Sequence, residues 1–177
     1  TRDATGTLFL SNPGGVYFGA GARADVGSLV ATTLGITNSD FLAGRHAFAG
    51  DSRASVVNEG RIQAAPGGSV VLLGASVANS GRIDAPQGSV ALGAGSAATL
   101  DVYGNGLLRL NITAGADGAR IDHGGTITAD GGVASASALG NASVLNIGGL
   151  MRAQSLEQRG GAMFLAGGDG SRLTLSG

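Results

Sequence analysis

The sequence predicts an all-β solenoid, in which each coil of roughly 20 residues lays short strands on the coil before it, as in a parallel β-helix. An internal repeat is the first observation behind this prediction. Residues 57–72, VNEGRIQAAPGGSVVL, return at residues 78–92 as ANSGRIDAPQGSVAL, and weaker copies follow at residues 123–133, 146–150 and 160–165. This step is too short for a helical repeat. The second observation is composition, because 34 glycines, 4% aromatic and 13% charged residues favour corners and small inward side chains.

The aligned copies predict which side chains face the inside of the solenoid. Strand side chains alternate between the two faces, so residues between two inward positions must point outward. The outward residues are then Val71, Ala91 and Phe164, the last as an exposed aromatic, and residues 108–113 alternate as one further strand. The predicted inward columns are Ile62, Ile83, Ile127 and Leu150; Val70, Val90 and Met163; and Leu72, Leu92 and Leu165.

The corners between strands show a second regularity. A glycine recurs two positions after an asparagine or histidine, at Gly60, Gly81, Gly125 and Gly148, as expected where the backbone turns tightly. Asparagines stacked on successive coils can hydrogen-bond along the solenoid axis. We therefore predict a structural amide ladder formed by Asn58, Asn79 and Asn146.

Composition and charge argue against several classes of function. A formal net charge of -1 offers no basic surface for nucleic acid, which we do not expect as a partner. The absence of cysteine excludes a disulfide framework and a thiolate metal site. No apolar run in the sequence is long enough to span a bilayer.

Candidate catalytic and metal-binding residues are scattered along the chain. Stacking of the copies places Gln63, Asp84 and Thr128 in one outward column, and its single acid is too little for paired-carboxylate catalysis. His46 and His123 have no metal-ligand spacing. The sequence therefore predicts no enzyme activity, no metal and no cofactor.

Residues 8–19, LFLSNPGGVYFG, are followed by VGSLVATTL at residues 26–34 and FLAGR at residues 41–45. This succession resembles the secretion domain of two-partner secretion exoproteins, the haemagglutination-activity domain of filamentous-haemagglutinin-like adhesins, from residue 7 to about residue 110. The resemblance implies a right-handed single-stranded parallel β-helix. It also implies recognition by the periplasmic domains of an outer-membrane transporter, and passage through the periplasm and outer membrane to the cell surface or the medium.

The resemblance also implies a site and a division of the chain. The transporter-recognition turn would be Asn12, Pro13, Gly14 and Gly15, where Gly14 replaces an asparagine of the family. Proline at the second position and glycine at the third predict a type II turn, with Gly14 at positive φ. Residues 1–113 would be part of the secretion domain without its amino-terminal cap, and residues 114–177 would continue the same solenoid.

Three functions follow from these observations. We expect the secretion and surface-presentation domain of a bacterial adhesin, which would bind a receptor or polysaccharide on a host or biofilm surface. The alternative is a β-helical shaft or filament subunit that self-associates end to end through exposed strands. A polysaccharide-active enzyme is the third, and a β-helix by itself supplies no catalytic site for it.

Overall fold

The computed structural model describes residues 6–102, 108–154, 162–167 and 172–175. In these segments the chain winds as a parallel β-helix, so the predicted fold class is confirmed. The first coil contains β1 (Thr7–Ser11), β2 (Val16–Phe18) and β3 (Arg23–Val26). The second contains β4 (Ser28–Thr32), β5 (Gly35–Ile36), α1 (Asn38–Leu42), β6 (His46–Ala49), β7 (Ser55–Asn58) and β8 (Arg61–Ala64). The third contains β9 (Val70–Gly74), β10 (Ser76–Asn79) and β11 (Arg82–Asp84).

The fourth and fifth coils continue the winding, and a sixth begins. The fourth coil contains β12 (Ser89–Ala94), β13 (Ala97–Val102), β14 (Leu108–Ala114), β15 (Arg120–His123) and β16 (Thr126–Thr128). The fifth contains β17 (Val133–Ala138), β18 (Val144–Ile147) and β19 (Leu150–Arg152), and the sixth begins with β20 (Ala162–Gly167) and β21 (Arg172–Leu175). Strand β14 confirms the strand predicted from the alternation in residues 108–113. Among the described residues no helix is both long and apolar enough to cross a membrane.

Three parallel sheets form the walls of the helix. The first sheet has the order β1-β4-β9-β12-β17-β20, the second β2-β7-β10-β15-β18-β21, and the third β3-β8-β11-β16-β19. In the second and fourth coils, the chain forms additional strands outside the β-helix after the strand of the first sheet, and then returns to the strand of the second sheet. These two excursions meet in an antiparallel outer sheet of order β5-β6-β13-β14.

The interior of the helix holds the larger apolar core, and most of the predicted columns lie in it. Ile62, Ile83 and Ile127 are in register and fully buried. Backbone register also continues the column of Val70 and Val90 through Ala134 to Met163, and that of Leu72 and Leu92 through Ala136 to Leu165.

The prediction for Leu150 was wrong by one residue. Ile127 pairs with Met151, which is buried, whereas Leu150 pairs with Thr126 and is 54% exposed. The reason is the close stacking of glycines at the corner, where a Cβ on Gly149 would collide with the carbonyl of Gly125. It is therefore Gly149, and not Gly148, that continues the corner stack, and the strand after it moves by one position.

Outward-facing side chains of the first sheet form a second core. Val71 and Ala91 point away from the interior, as predicted, but both are buried because the outer sheet covers them. Leu34, Phe48 and Leu73 are fully or almost fully buried in the same cluster. An outward position was therefore not an exposed one. The side chain of Phe164, for which exposure was predicted, lies outside the described residues.

Candidate functional site

The segment Asn12-Pro13-Gly14-Gly15 forms a tight turn between β1 and β2, at a corner of the first coil. Gly15 N donates to the Asn12 carbonyl at 3.0 Å, and Gly14 N donates to the Asn12 side-chain Oδ1 at 2.9 Å. Positive φ falls on Gly15, at 111°, and not on Gly14. The turn is therefore of type I, which favours asparagine first, proline second and glycine fourth. The prediction of a type II turn with Gly14 at positive φ was wrong.

A second turn in the molecule shows what Asn12 contributes. Residues 65–68 have the same Pro-Gly-Gly sequence, with Ala65 where the first turn has Asn12. Here Gly68 N donates to the Ala65 carbonyl at 2.8 Å and Gly67 has a φ of 79°, as in a type II turn. Because an asparagine side chain can accept from the backbone two residues later, Asn12 stabilises the other turn type.

The turn is exposed but attached to the second coil at several points. Asn12 N donates to the Thr32 carbonyl at 3.0 Å, and Ser52 Oγ donates to the Pro13 carbonyl at 2.6 Å. A Cβ on Gly15 would lie 3.3 Å from the Ser55 carbonyl oxygen, so a larger residue has little room there. Asn12, Pro13 and Gly14 are themselves exposed. The arrangement presents an ordered polar turn to solvent.

An exposed aromatic residue follows the turn. Tyr17 on β2 is 65% exposed, and its hydroxyl donates to Glu59 Oε2 at 2.6 Å. This hydrogen bond to a carboxylate raises the pKa of Tyr17. Sequence reasoning missed this pair because the residues are 42 positions apart. The alternation of Tyr17 with the inward residues Val16 and Phe18 was the available signal.

The FLAGR segment, residues 41–45, is part of the connection between β5 and β6 of the outer sheet. Helix α1 begins after Thr37, whose Oγ1 accepts from Asp40 N at 3.1 Å, and Asp40 Oδ1 lies 2.8 Å from Arg45 Nε. Hydrogen bonds from Thr37 and then Arg45 lower the pKa of Asp40. Phe41 packs edge-on against Phe9, with ring centroids 5.4 Å apart. The motif thus ties the outer sheet to the first coil.

A family model described as the TPS secretion domain matches residues 1–173. The chain belongs to this family. Among solved structures it is similar to the crystal structure of the HMW1 secretion domain from Haemophilus influenzae, with a TM-score of 0.73 and 28% sequence identity. That match covers 91% of this chain and 50% of the HMW1 chain, so this chain spans about half the length of that structure. No curated protein matches it.

The secretion-domain prediction is thereby confirmed: the chain belongs to the secretion domain of a two-partner secreted exoprotein. The family match extends beyond the resemblance seen in the sequence, which ended at about residue 110. The first and second sheets also continue past residue 113 without interruption. Division of this TPS secretion domain at residue 113 stays a prediction.

The structure brings two of the three predicted ladder residues together. Asn58 Nδ2 donates to Asn79 Oδ1 at 2.8 Å, and both side chains are buried in the secretion domain. His123 takes the next position, with its Nδ1 3.0 Å from Asn79 Nδ2. Asn146 lies on the outer face instead and donates to Asp122 Oδ1 at 2.7 Å, because the fifth coil is shifted by one residue. Asn146 is therefore not part of the ladder.

Several acids of the TPS secretion domain are paired with arginines. Asp84 Oδ2 lies 2.7 Å from Arg82 Nε and 3.3 Å from Arg61 Nη2, while Asp122 pairs with Arg120. Asp130 Oδ2 lies 2.6 Å from Arg152 Nη2. In the part of the chain that the structure describes, no group of three or more His, Asp or Glu residues could hold a metal ion. Arg82–Asp84 and Arg120–Asp122 each lie within one strand, whereas Arg61–Asp84 and Arg152–Asp130 join neighbouring coils. The arginines are about half-exposed, and Asp84 is itself buried.

Proposed function

We propose that the turn Asn12-Pro13-Gly14-Gly15 is the element by which the periplasmic domains of an outer-membrane transporter recognise this secretion domain. The observation that carries the proposal is the difference between two Pro-Gly-Gly turns on one solenoid. Only the turn with Asn12 adopts the type I form, with Asn12 Oδ1 accepting from Gly14 N. An exposed turn that is already ordered needs little further ordering when a partner binds, which favours affinity.

The neighbourhood of the turn supports the same proposal. Tyr17 offers a large exposed ring with a hydroxyl, and aromatic residues of this kind are enriched at protein interfaces. Its hydrogen bond to Glu59 holds the ring in one orientation across two coils. A partner would therefore meet an ordered turn and, two residues after Gly15, the oriented side chain of Tyr17.

Export by bacteria that carry the full exoprotein and its transporter tests the proposal. The two Pro-Gly-Gly turns allow a matched comparison, because Pro13→Ala and Pro66→Ala are the same change at the same turn position. We expect Pro13→Ala to reduce the amount exported and Pro66→Ala to leave it unchanged. Equal export of both variants at the level of the unmodified protein would contradict the proposal.

Substitutions of Asn12 separate the turn from its amide group. Asn12→Asp keeps an oxygen that can accept from Gly14 N, whereas Asn12→Ala removes it. If the transporter reads the shape of the turn, Asn12→Asp is exported and Asn12→Ala is not. Gly14→Asn, which restores the family residue, should be exported at least as well as the unmodified chain. Normal export of Asn12→Ala together with lower stability would make the turn purely architectural.

After export, we propose, the domain presents a non-enzymatic adhesin at the cell surface or in the medium. The partner there would be a receptor or polysaccharide of a host or biofilm surface. Binding of the purified exoprotein to immobilised polysaccharides and to host cells, with cleavage of the polysaccharides followed in parallel, tests this role. Cleavage of a polysaccharide would contradict the non-enzymatic role.

End-to-end self-association is a second candidate, favoured by the exposed first coil. Strands β1, β2 and β3 each have one neighbour among the described residues, and Leu8 is 45% exposed. Unpaired strand edges can add further strands. Light scattering and electron microscopy of the purified chain distinguish a monomer from a filament, and filaments would favour a shaft role.

A further inference from the structure

A chain of hydrogen bonds runs along one corner of the interior with a single direction. Gly60 N donates to Asn58 Oδ1 at 3.2 Å, and Asn58 Nδ2 donates to Asn79 Oδ1 at 2.8 Å. Asn79 Nδ2 then faces His123 Nδ1 at 3.0 Å, and His123 Nε2 faces the Leu150 carbonyl at 3.1 Å. Asn58, Asn79 and His123 are all buried, and buried polar groups of this kind need hydrogen-bond partners.

The two ends of this series of hydrogen bonds, the Gly60 N–H and the Leu150 carbonyl, determine the protonation of the His123 imidazole. The backbone N–H of Gly60 can only donate, which turns the amides so that Asn79 Nδ2 points at His123. Because Nδ2 can only donate, His123 Nδ1 must be unprotonated. The Leu150 carbonyl can only accept, so His123 Nε2 must carry the proton. The geometry thus requires the neutral ring with its proton on Nε2.

We propose that His123 makes the stability of the interior ladder sensitive to acid. The hydrogen bonds of the ladder are complete while the ring is neutral, and the one between Asn79 and His123 is lost when Nδ1 takes up a proton. A protonated Nδ1 would face the Asn79 amide nitrogen, donor against donor. Turning the Asn79 and Asn58 amides over would repair that contact but would leave the Gly60 N–H facing another donor. Neither arrangement satisfies all the buried groups, and an unsatisfied buried donor is costly.

Within residues 6–102, 108–154, 162–167 and 172–175, no charged group is found against the ring to compensate for the added charge. Asn79 on β10 and Ile147 on β18 are the uncharged register partners of His123, and a carbonyl of β19 contacts Nε2. The charged side chains on its own and neighbouring strands lie on outer faces and are paired with each other, as Arg120 with Asp122, Arg82 with Asp84, and Arg152 with Asp130. Burial lowers the pKa of His123, and hydrogen bonding of the ring to the backbones of Leu150 and Asn79 opposes this only in part.

The direction of the pH effect follows from proton binding. Above an unfolded-state pKa of 6.5, neither the folded nor the unfolded chain protonates this ring, and stability is complete. Below it the unfolded chain takes up a proton that the folded chain resists, so stability falls until the lower folded pKa is reached. Carboxylates such as Asp40 and Asp122, whose pKa values lie below 3.8, contribute their own loss only in stronger acid.

Thermal unfolding of the 177-residue chain at pH 7.5 and pH 5.0 tests whether His123 makes the stability sensitive to acid. His123→Asn keeps an oxygen that can accept from Asn79 but cannot titrate. We expect the melting temperature of the unmodified chain to fall by roughly 3 °C or more between the two pH values, and that of His123→Asn to change much less. His46→Asn, at the other histidine of the chain, is the matched control and should keep the full drop.

A titration of the unmodified chain by NMR makes the test independent of how well the variants fold. The His123 ring should show the neutral form with the proton on Nε2 at pH 7.5, and it should titrate below its ordinary value of 6.5. An equal loss of stability in His123→Asn, a proton on Nδ1 at pH 7.5, or titration of His123 at or above 6.5 would each overturn the proposal.

Discussion

The two cores of this domain are built from alternate residues of the same strands. In β9, Val70 and Leu72 face the interior of the helix, while Val71 and Leu73 face the outer sheet, and all four are fully buried. In β17, Ala134 and Ala136 still face the interior, but the outward residues Val133, Ser135 and Ser137 are only partly buried. The interior is continuous along the solenoid, whereas the second core ends with the outer sheet.

The alternation of side chains along a strand does not by itself separate core residues from surface residues. A strand covered on both faces has apolar residues at every position, as the run Val70 to Leu73 does. Where the cover ends, in β17, two of the three outward positions are serine. The polarity of an outward column therefore indicates how far a second layer extends.

The largest expected effect comes from placing a charge in the interior. Ile83→Asp should abolish cooperative folding, because burying an unpaired carboxylate costs several kcal/mol against a small total stability. Its neighbour Asp84 is also buried, but it pairs with two half-exposed arginines that stay solvated without it, so Asp84→Ala should cost less, about 1–3 kcal/mol. Circular dichroism melts of both variants measure the difference. A reversed order would mean that the inward and outward faces are exchanged.

Truncations in β9 compare the two cores directly. Leu72→Ala in the interior and Leu73→Ala in the outer core should each lower the free energy of unfolding by about 2–5 kcal/mol, because both leave a cavity among buried side chains. Ser137→Ala, at the position in register with Leu73 through Gly93, should be nearly neutral. Urea unfolding tests this. A negligible effect of Leu73→Ala would show that the outer sheet does not pack as a core.

The ladder allows a test of coupling between neighbouring coils. Asn58→Ala and Asn79→Ala should each cost about 1–3 kcal/mol, because each leaves a buried partner unsatisfied. In a double-mutant cycle the two changes should be coupled by at least about 0.5 kcal/mol. Asn146→Ala on the outer face should add independently to Asn58→Ala. Strict additivity of the first pair would show that the two amides do not share a hydrogen bond in solution.

The smallest expected effects concern the two Pro-Gly-Gly turns. Gly67 has a φ of 79°, so Gly67→Ala should cost about 1–2 kcal/mol through backbone strain. Gly14 is outside that region, and Gly14→Ala should cost less than about 0.5 kcal/mol. Differential scanning calorimetry of both variants measures this. An equal cost would indicate that the first turn also adopts the type II form.

Sequence reasoning performed best where the repeat is nearly exact. Ile62 and Ile83 occupy identical positions in two copies, and their register in the structure is the predicted one. It failed at Leu150, because the copy at residues 146–150 is too weak to show that Gly149 continues the stack of corner glycines. The position of His123 after Asn79 was visible in the aligned corners, but its place in the hydrogen-bonded chain required the coordinates.

The parallel β-helix, and the interior columns and glycine corners of its well-matched coils, could be predicted from sequence, because these depend on side-chain alternation and on close contact between successive similar coils. The tertiary structure was needed to show that Val71 and Ala91 are buried, since the strands that cover them, β6 and β13, come from excursions of two different coils about 50 residues apart. It also decided the type of the first turn. Glycine at the third position allows either turn type, and here the hydrogen bond from Gly14 N to the Asn12 side chain and the contacts with the second coil favour type I.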